Sequence, residues 1–116
     1  MQAYDLDELL AAHAEAGALY HEFLREPSLS TGLYLLPAGT RDPQQPHTED
    51  EVYYVIGGSG QIMVAGEDRA VRAGSVVFVA AGVEHRFHTI AEDLTILVFF
   101  APPRRSQATV RRRLPR

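Results

Sequence analysis

The sequence predicts an all-β barrel or sandwich preceded by one short helix. Two observations carry the fold class. Most of the chain breaks into short segments rich in Val, Ile, Leu, Phe and Tyr, each bounded by turn-forming residues. These segments crowd into about 80 residues, the spacing of sandwiches and barrels. A third, the length of 116 residues, allows one domain with a single core.

In chain order, "YDLDELLAAHAEAG" reads as the helix. Asp5 stands as N-cap with Glu8 at the third helical position, and Gly17 sits where the helix stops. Leu6, Leu9 and Leu10 give it an apolar face. Eight strand-like segments follow: "ALYHEFLR", "LSTGLYLLP", "EVYYVIG", "GQIMVAG", "RAVRAG", "SVVFVA", "EHRFHTI" and "LTILVFFAPP". The loop over residues 37–48 is the longest connection and holds three of the seven prolines, which stiffen it. "GGSG" reads as a hairpin turn, because no helix follows it to supply a phosphate-binding dipole. "AED" reads as a further turn. The expected organisation is a helix at 1–17, a barrel at 18–103 and a basic, disordered tail at 104–116.

Composition excludes several classes. There is no cysteine, hence no disulfide, thiolate zinc site or cysteine nucleophile. No apolar run is long enough to span a bilayer, and the acidic start "MQAYDLDELL" is unlike a signal peptide, so the expected location is the cytoplasm. All eleven basic residues are arginine, and six of them lie in "RRSQATVRRRLPR" at the C-terminus. Residues 1–103 therefore set fifteen acids against five arginines, and such an acidic body repels nucleic acid.

Two segments carry chemistry. In "PHTEDEVYYVIGGSG", strand alternation puts His47, Glu49, Glu51, Tyr53 and Val55 on one face. In "AGVEHRFHTI", His85, Phe87 and Thr89 share a face, and Arg86 and His88 take the other. A polar strand entrance or a metal site both fit the first segment. Tyr53, Phe78, Phe87 and Phe99 either line a pocket or fill the core. His13 and His21 read as structural or surface residues.

Together the two segments resemble the motif pair of small single-domain cupins. The first cupin motif is glycine, a His-x-His pair, glutamate and glycine; Gly39, His47, Glu51 and Gly58 match it in spacing. The second is matched by Gly74, Gly82 and His85, with Ala80 at the proline position and Thr89 at the asparagine position. Gln45 occupies the place of the first histidine, a departure from the pattern. The resemblance covers most of residues 30–101. It implies an all-β cupin barrel or jelly roll, and a homodimer formed by exchange of the "ALYHEFLR" strand.

The resemblance also implies a metal held by His47, Glu51 and His85, a set similar to the two-histidine, one-carboxylate face used for non-heme Fe(II). Gln45 supplies a weak fourth oxygen or none. Glu49 is the rival fourth ligand, or it orients a ligand histidine from behind. Oxygen and nitrogen donors leave Fe, Mn, Ni, Zn and Cu all open. Tyr53, Glu49 and Phe87 are the expected pocket residues, with a small molecule as ligand or substrate. Dioxygenation is the reaction most natural to this set. The alternatives are a non-catalytic barrel that binds or senses a metal or small ligand, and a dimerising scaffold whose working part is the arginine tail.

Overall fold

The computed structural model describes residues 1–43 and 46–105. Helix α1 spans Leu6–Ala16. Asp5 is its N-cap in extended conformation, yet its side chain makes no capping bond, so the expected capping box does not form. Gly17 ends the helix with φ 70°, its N–H donating to the His13 carbonyl at 3.3 Å. Leu9 and His13 are the buried positions, while Leu6 and Leu10 stay exposed. His13 Nε2 lies 2.7 Å from the carbonyl oxygen of Leu19. A carbonyl only accepts, so this bond pins the helix to the chain entering the first strand.

Six antiparallel strands follow: β1 Tyr20–Arg25, β2 Ser30–Leu36, β3 Asp50–Val64, β4 Glu67–Arg72, β5 Val76–Val79 and β6 His85–Ala101. The sheet order is β1-β2-β6-β3-β4, with β5 pairing the first part of β3. Residues on one face of β2 to β6, from Tyr34 and Leu36 to Ile96, Val98 and Phe100, join a single buried cluster. One sheet can bury all of these against each other only by curling on itself, which gives the expected all-β jelly-roll barrel.

Two expected turns are absent. "GGSG" lies inside β3 and "AED" inside β6, and the two long strands pair along both halves. The ladder absorbs the bend through register shifts between Val55 and Gln61. Gly58 has φ 92°, and a Cβ there would meet the Asp93 carbonyl oxygen at 2.1 Å. These glycines therefore serve a bulged, closely packed strand crossing; their turn-like composition misled the expectation. Thr89, with φ 48°, marks the matching irregularity in β6.

The outer face of the sheet is partly bare. Phe78 and Val76 are 60% and 64% exposed, and Tyr54 and Phe99 are exposed beside them. Phe78 and Phe99 both flank Val52 across the ladder. They therefore belong neither to a pocket nor to the core. β1 pairs with β2 of its own chain. Among the described residues no helix is long and apolar enough to cross a membrane.

Candidate metal centre

Three backbone and side-chain ties bring the two chemistry-bearing segments together. The N–H of Gly82 donates to the His47 carbonyl at 2.6 Å, and the N–H of Ala81 to Asp50 Oδ1 at 2.9 Å. Both join the entrance to β3 with the turn before His85. Asp42, only 3% exposed, fixes the proline-bearing loop: its Oδ1 accepts from the Tyr34 hydroxyl at 2.5 Å and its Oδ2 from the Phe87 N–H at 2.8 Å. A carboxylate buried with two charge-assisted hydrogen bonds holds a loop far more firmly than proline stiffness alone.

The result gathers His47, Glu51 and His85, with one ligand atom from each within 4.8 Å of the others. Glu51 Oε1 lies 3.1 Å from His85 Nε2 and 4.0 Å from His47 Nε2. His85 Nδ1 lies 2.8 Å from the Val83 carbonyl oxygen, which puts a proton on Nδ1. Although His85 Nε2 is close to Glu51, the alignment gives it no hydrogen bond, and both Glu51 oxygens are likewise buried without one. Lone pairs facing one another at this distance call for positive charge between them, either a proton or a metal ion. Atoms bound to one ion at ~2.1 Å lie ~3 Å apart at right angles and ~4.2 Å apart when opposite, which brackets both observed separations. The donors present therefore fit a divalent ion.

Electrostatics treat the two histidines differently. Burial is the largest influence on His47 and holds its pKa below the usual value, favouring the neutral imidazole that a metal requires. Burial also pulls on His85, but the contact with Glu51, the Val83 carbonyl and the charges of Glu51 and Asp42 outweigh it and raise the pKa.

Glu49 is buried but turned elsewhere. Its Oε1 accepts from the Arg105 N–H at 3.2 Å and its Oε2 from the Thr48 hydroxyl, and it is not part of the three-residue group. β3 begins only at Asp50, so the alternation that aligns Glu51 with Tyr53 does not extend back to Glu49. Tyr53 and Phe87 are fully buried and pack edge to face at 4.9 Å, with the Tyr53 ring 6.0 Å from that of His85. They form the floor behind the histidine. Gln45 lies outside the described residues.

Sequence reasoning missed Asp42, Tyr20 and Arg104. Asp42 stands in "RDPQQP", where an acid reads as loop polarity, and only the fold places it against Phe87. Tyr20 read as an ordinary strand aromatic and Arg104 as part of the tail. Arg104 is in fact placed over the Tyr20 ring at 4.8 Å.

The residues from 32 to 100 match the family model described as "Cupin domain". The chain is 53% identical over 103 residues to an uncharacterized protein of Streptomyces coelicolor, a match covering 89% of this chain and 98% of that one. Among solved structures, TT1209 from Thermus thermophilus superposes with TM-score 0.72 at 25% identity, covering 89% of this chain and 99% of that one. KdgF from Halomonas sp. gives TM-score 0.67 at 20% identity, covering 77% and 81%. The DMSP lyase DddQ from Ruegeria pomeroyi gives 0.66 at 19%, covering 87% and 66%. The barrel and its paired motif segments are those of a cupin. The chain belongs to the cupin family.

Proposed function

We propose that this cupin binds one divalent transition metal ion through His47, Glu51 and His85 and acts on a small organic substrate. One observation carries the proposal: Glu51 Oε1, Glu51 Oε2 and His85 Nε2 are buried and without hydrogen bonds, converging beside His47. A proton on His85 Nε2 would pair that atom with Glu51 Oε1 alone, whereas an ion held among the three relieves every one of them, at about 1–3 kcal/mol for each group otherwise left unpaired. The donor set is that of Fe(II) oxygenases, which makes dioxygenation the best-supported reaction; Mn, Ni, Zn and Cu fit the same donors. When bound, the ion supplies a Lewis-acidic centre with coordination positions free for substrate. The chain's own contribution is to hold the two imidazoles and the carboxylate in place and to keep that side of the barrel dry through Tyr53 and Phe87. A DMSP lyase shares the barrel, so the fold supports enzymes, but at 19% identity that likeness carries the fold alone.

A second reading, a barrel that binds without turnover, draws on Glu49. This carboxylate, an expected pocket residue, accepts instead from the Thr48 hydroxyl and the Arg105 N–H and stands outside the three-residue group. Metal analysis of protein purified without affinity tag or chelator, beside His47→Ala and His85→Ala, tests the binding. Stoichiometric metal in the wild type and none in either variant supports it; no uptake of any of the five metals overturns it. Oxygen uptake by the iron-loaded protein then separates turnover from binding alone.

The bare outer face of β3, β5 and β6 supports a second proposal, a homodimer. An apolar patch of Tyr54, Val76, Phe78 and Phe99 can bury itself against its own copy across a two-fold axis. Sedimentation of the wild type and of Phe78→Glu distinguishes a dimer from a monomer.

A further inference from the structure

The chain after β6 folds back across the ends of β1 and β2, and its backbone is pinned on both sides. The N–H of Arg104 donates to Ser30 Oγ at 2.8 Å, and its carbonyl accepts from Arg25 Nη1 at 3.0 Å. The next N–H, that of Arg105, is held by Glu49. These ties act on the main chain and leave the Arg104 side chain free for another purpose. Its guanidinium lies over the Tyr20 ring at 4.8 Å and 5.9 Å from the centre of the Phe100 ring. The other neighbour of Phe100 is His47, whose ring meets it edge-on at 5.1 Å. Arg104 and a residue of the candidate metal set thus flank the same aromatic ring.

Two features here are unexplained by packing. Among the described residues no carboxylate lies within ion-pair distance of the Arg104 guanidinium. The Tyr20 hydroxyl is buried and has no hydrogen-bond partner. The Tyr20 ring is deliberately accommodated: it lies against Gly32 so closely that a Cβ there would sit 2.2 Å from it. A guanidinium stapled to two rings by cation–π attraction would account for the first contact alone. It would not account for a buried phenol left without an acceptor.

We propose that Arg104 and the Tyr20 hydroxyl form an anion subsite that receives the carboxylate of a small substrate whose other end reaches the His47, Glu51 and His85 set. A carboxylate offers oxygens to both donors at once, and charge-assisted bonds to Arg are the strong ones. Burial keeps the Tyr20 phenol protonated well beyond the usual tyrosine range, so it stays a donor. Arg104 also sets a positive charge against the same Phe100 ring that His47 meets, in a chain whose body is otherwise acidic. The substrate class follows: a small carboxylic acid, selected against its neutral counterpart. This deepens the proposed function and rests on it for the metal end of the substrate.

The test is a calorimetric titration with a panel of two- to six-carbon carboxylates and their amides, on the metal-loaded and on the metal-free protein. The expected result is that at least one acid binds the wild type roughly tenfold more tightly than its amide. Arg104→Gln loses that preference, Arg104→Lys keeps part of it, and Tyr20→Phe weakens the acid without changing the amide. Metal content should be the same in all four proteins, since neither residue belongs to the metal set. If the amides bind as well as the acids, if Arg104→Gln retains the preference, or if no acid binds, the subsite is overturned. A wild type that holds no metal but still prefers acids through Arg104 would sink the metal reading and leave the subsite standing.

Discussion

His85 and Val83 are joined by a 2.8 Å bond from the imidazole Nδ1 to a backbone carbonyl, and this bond decides the chemistry of the other nitrogen. With a proton on Nδ1, the ring turns Nε2 toward Glu51, where that nitrogen either carries a proton for the carboxylate or offers its lone pair to an ion. Val83 belongs to the turn whose Gly82 N–H holds the His47 carbonyl, so one turn orients one histidine and ties down the backbone of the other. Hydrogen bonds of this kind fix tautomer and direction before an ion arrives, and they are what a metal-binding histidine needs behind it.

Glu51→Gln separates the charge of that carboxylate from its shape. Manganese or iron should raise the melting temperature of the wild type, because binding to the folded state alone stabilises it by mass action. The variant should gain nothing. In chelator the order reverses or closes, since an amide without hydrogen bonds costs less to bury than a carboxylate in the same position. Scanning fluorimetry with and without metal reads both effects, and a metal-dependent rise retained by Glu51→Gln would remove Glu51 from the set.

Asp42 stands outside the three-residue set, yet its loss should reach it. Asp42→Ala leaves the Phe87 N–H and the Tyr34 hydroxyl buried without their acceptor. The expected cost is about 2–4 kcal/mol in urea unfolding, from two unsatisfied donors. Metal affinity should fall with it, because the middle of the loop that delivers His47 then loses its tie to Phe87, while Ala38 and Gly39 at its start and the His47 carbonyl at its end stay held. Full stability in this variant would show that the loop is held by its prolines and not by the carboxylate.

The barrel, its helix and the three-residue set were legible because they are written locally: strand-like segments, a Gly17 stop, and spacings that align Glu51 with Tyr53. What was illegible depended on pairings distant in sequence. "GGSG" has a turn's composition, and only the approach of Asp93 reveals why a strand needs Gly58. Arg104 stands among arginines that look like a solvated tail, and only Ser30, Arg25 and Tyr20 together show that it is fixed. Glu49 obeyed the alternation on paper but precedes the strand in fact, so its carboxylate went to Arg105.

Gly58 offers a direct check on the continuous β3. Gly58→Ala forces a Cβ into the Asp93 carbonyl in a left-handed conformation, and should cost more than ~2 kcal/mol. Gly66→Ala is the control, with φ 83° but open space around its Cβ, so only the backbone strain of about 1 kcal/mol applies. Thermal unfolding of the pair measures the difference. Were "GGSG" an exposed hairpin turn, the two variants would behave alike.

Alkaline pH should act on the fold through Tyr20 and Tyr34. Both phenols are raised beyond the usual tyrosine range, by burial first in each case, and for Tyr34 also by its bond to Asp42. In the unfolded chain they lose their protons near the ordinary value of ~10. Above that pH the unfolded state binds fewer protons than the folded one, so the slope of stability against pH is negative. Stability from these two groups is therefore fully present below ~10 and falls as pH climbs past it. Absorbance at alkaline pH should show at least two of the five tyrosines ionising late and together with unfolding. Tyr34→Phe should flatten part of the alkaline loss, because a ring without a hydroxyl has no proton to give up. If all five tyrosines titrate in the folded protein near the ordinary value, then neither phenol is sealed from water, and the Tyr20 hydroxyl is open to solvent.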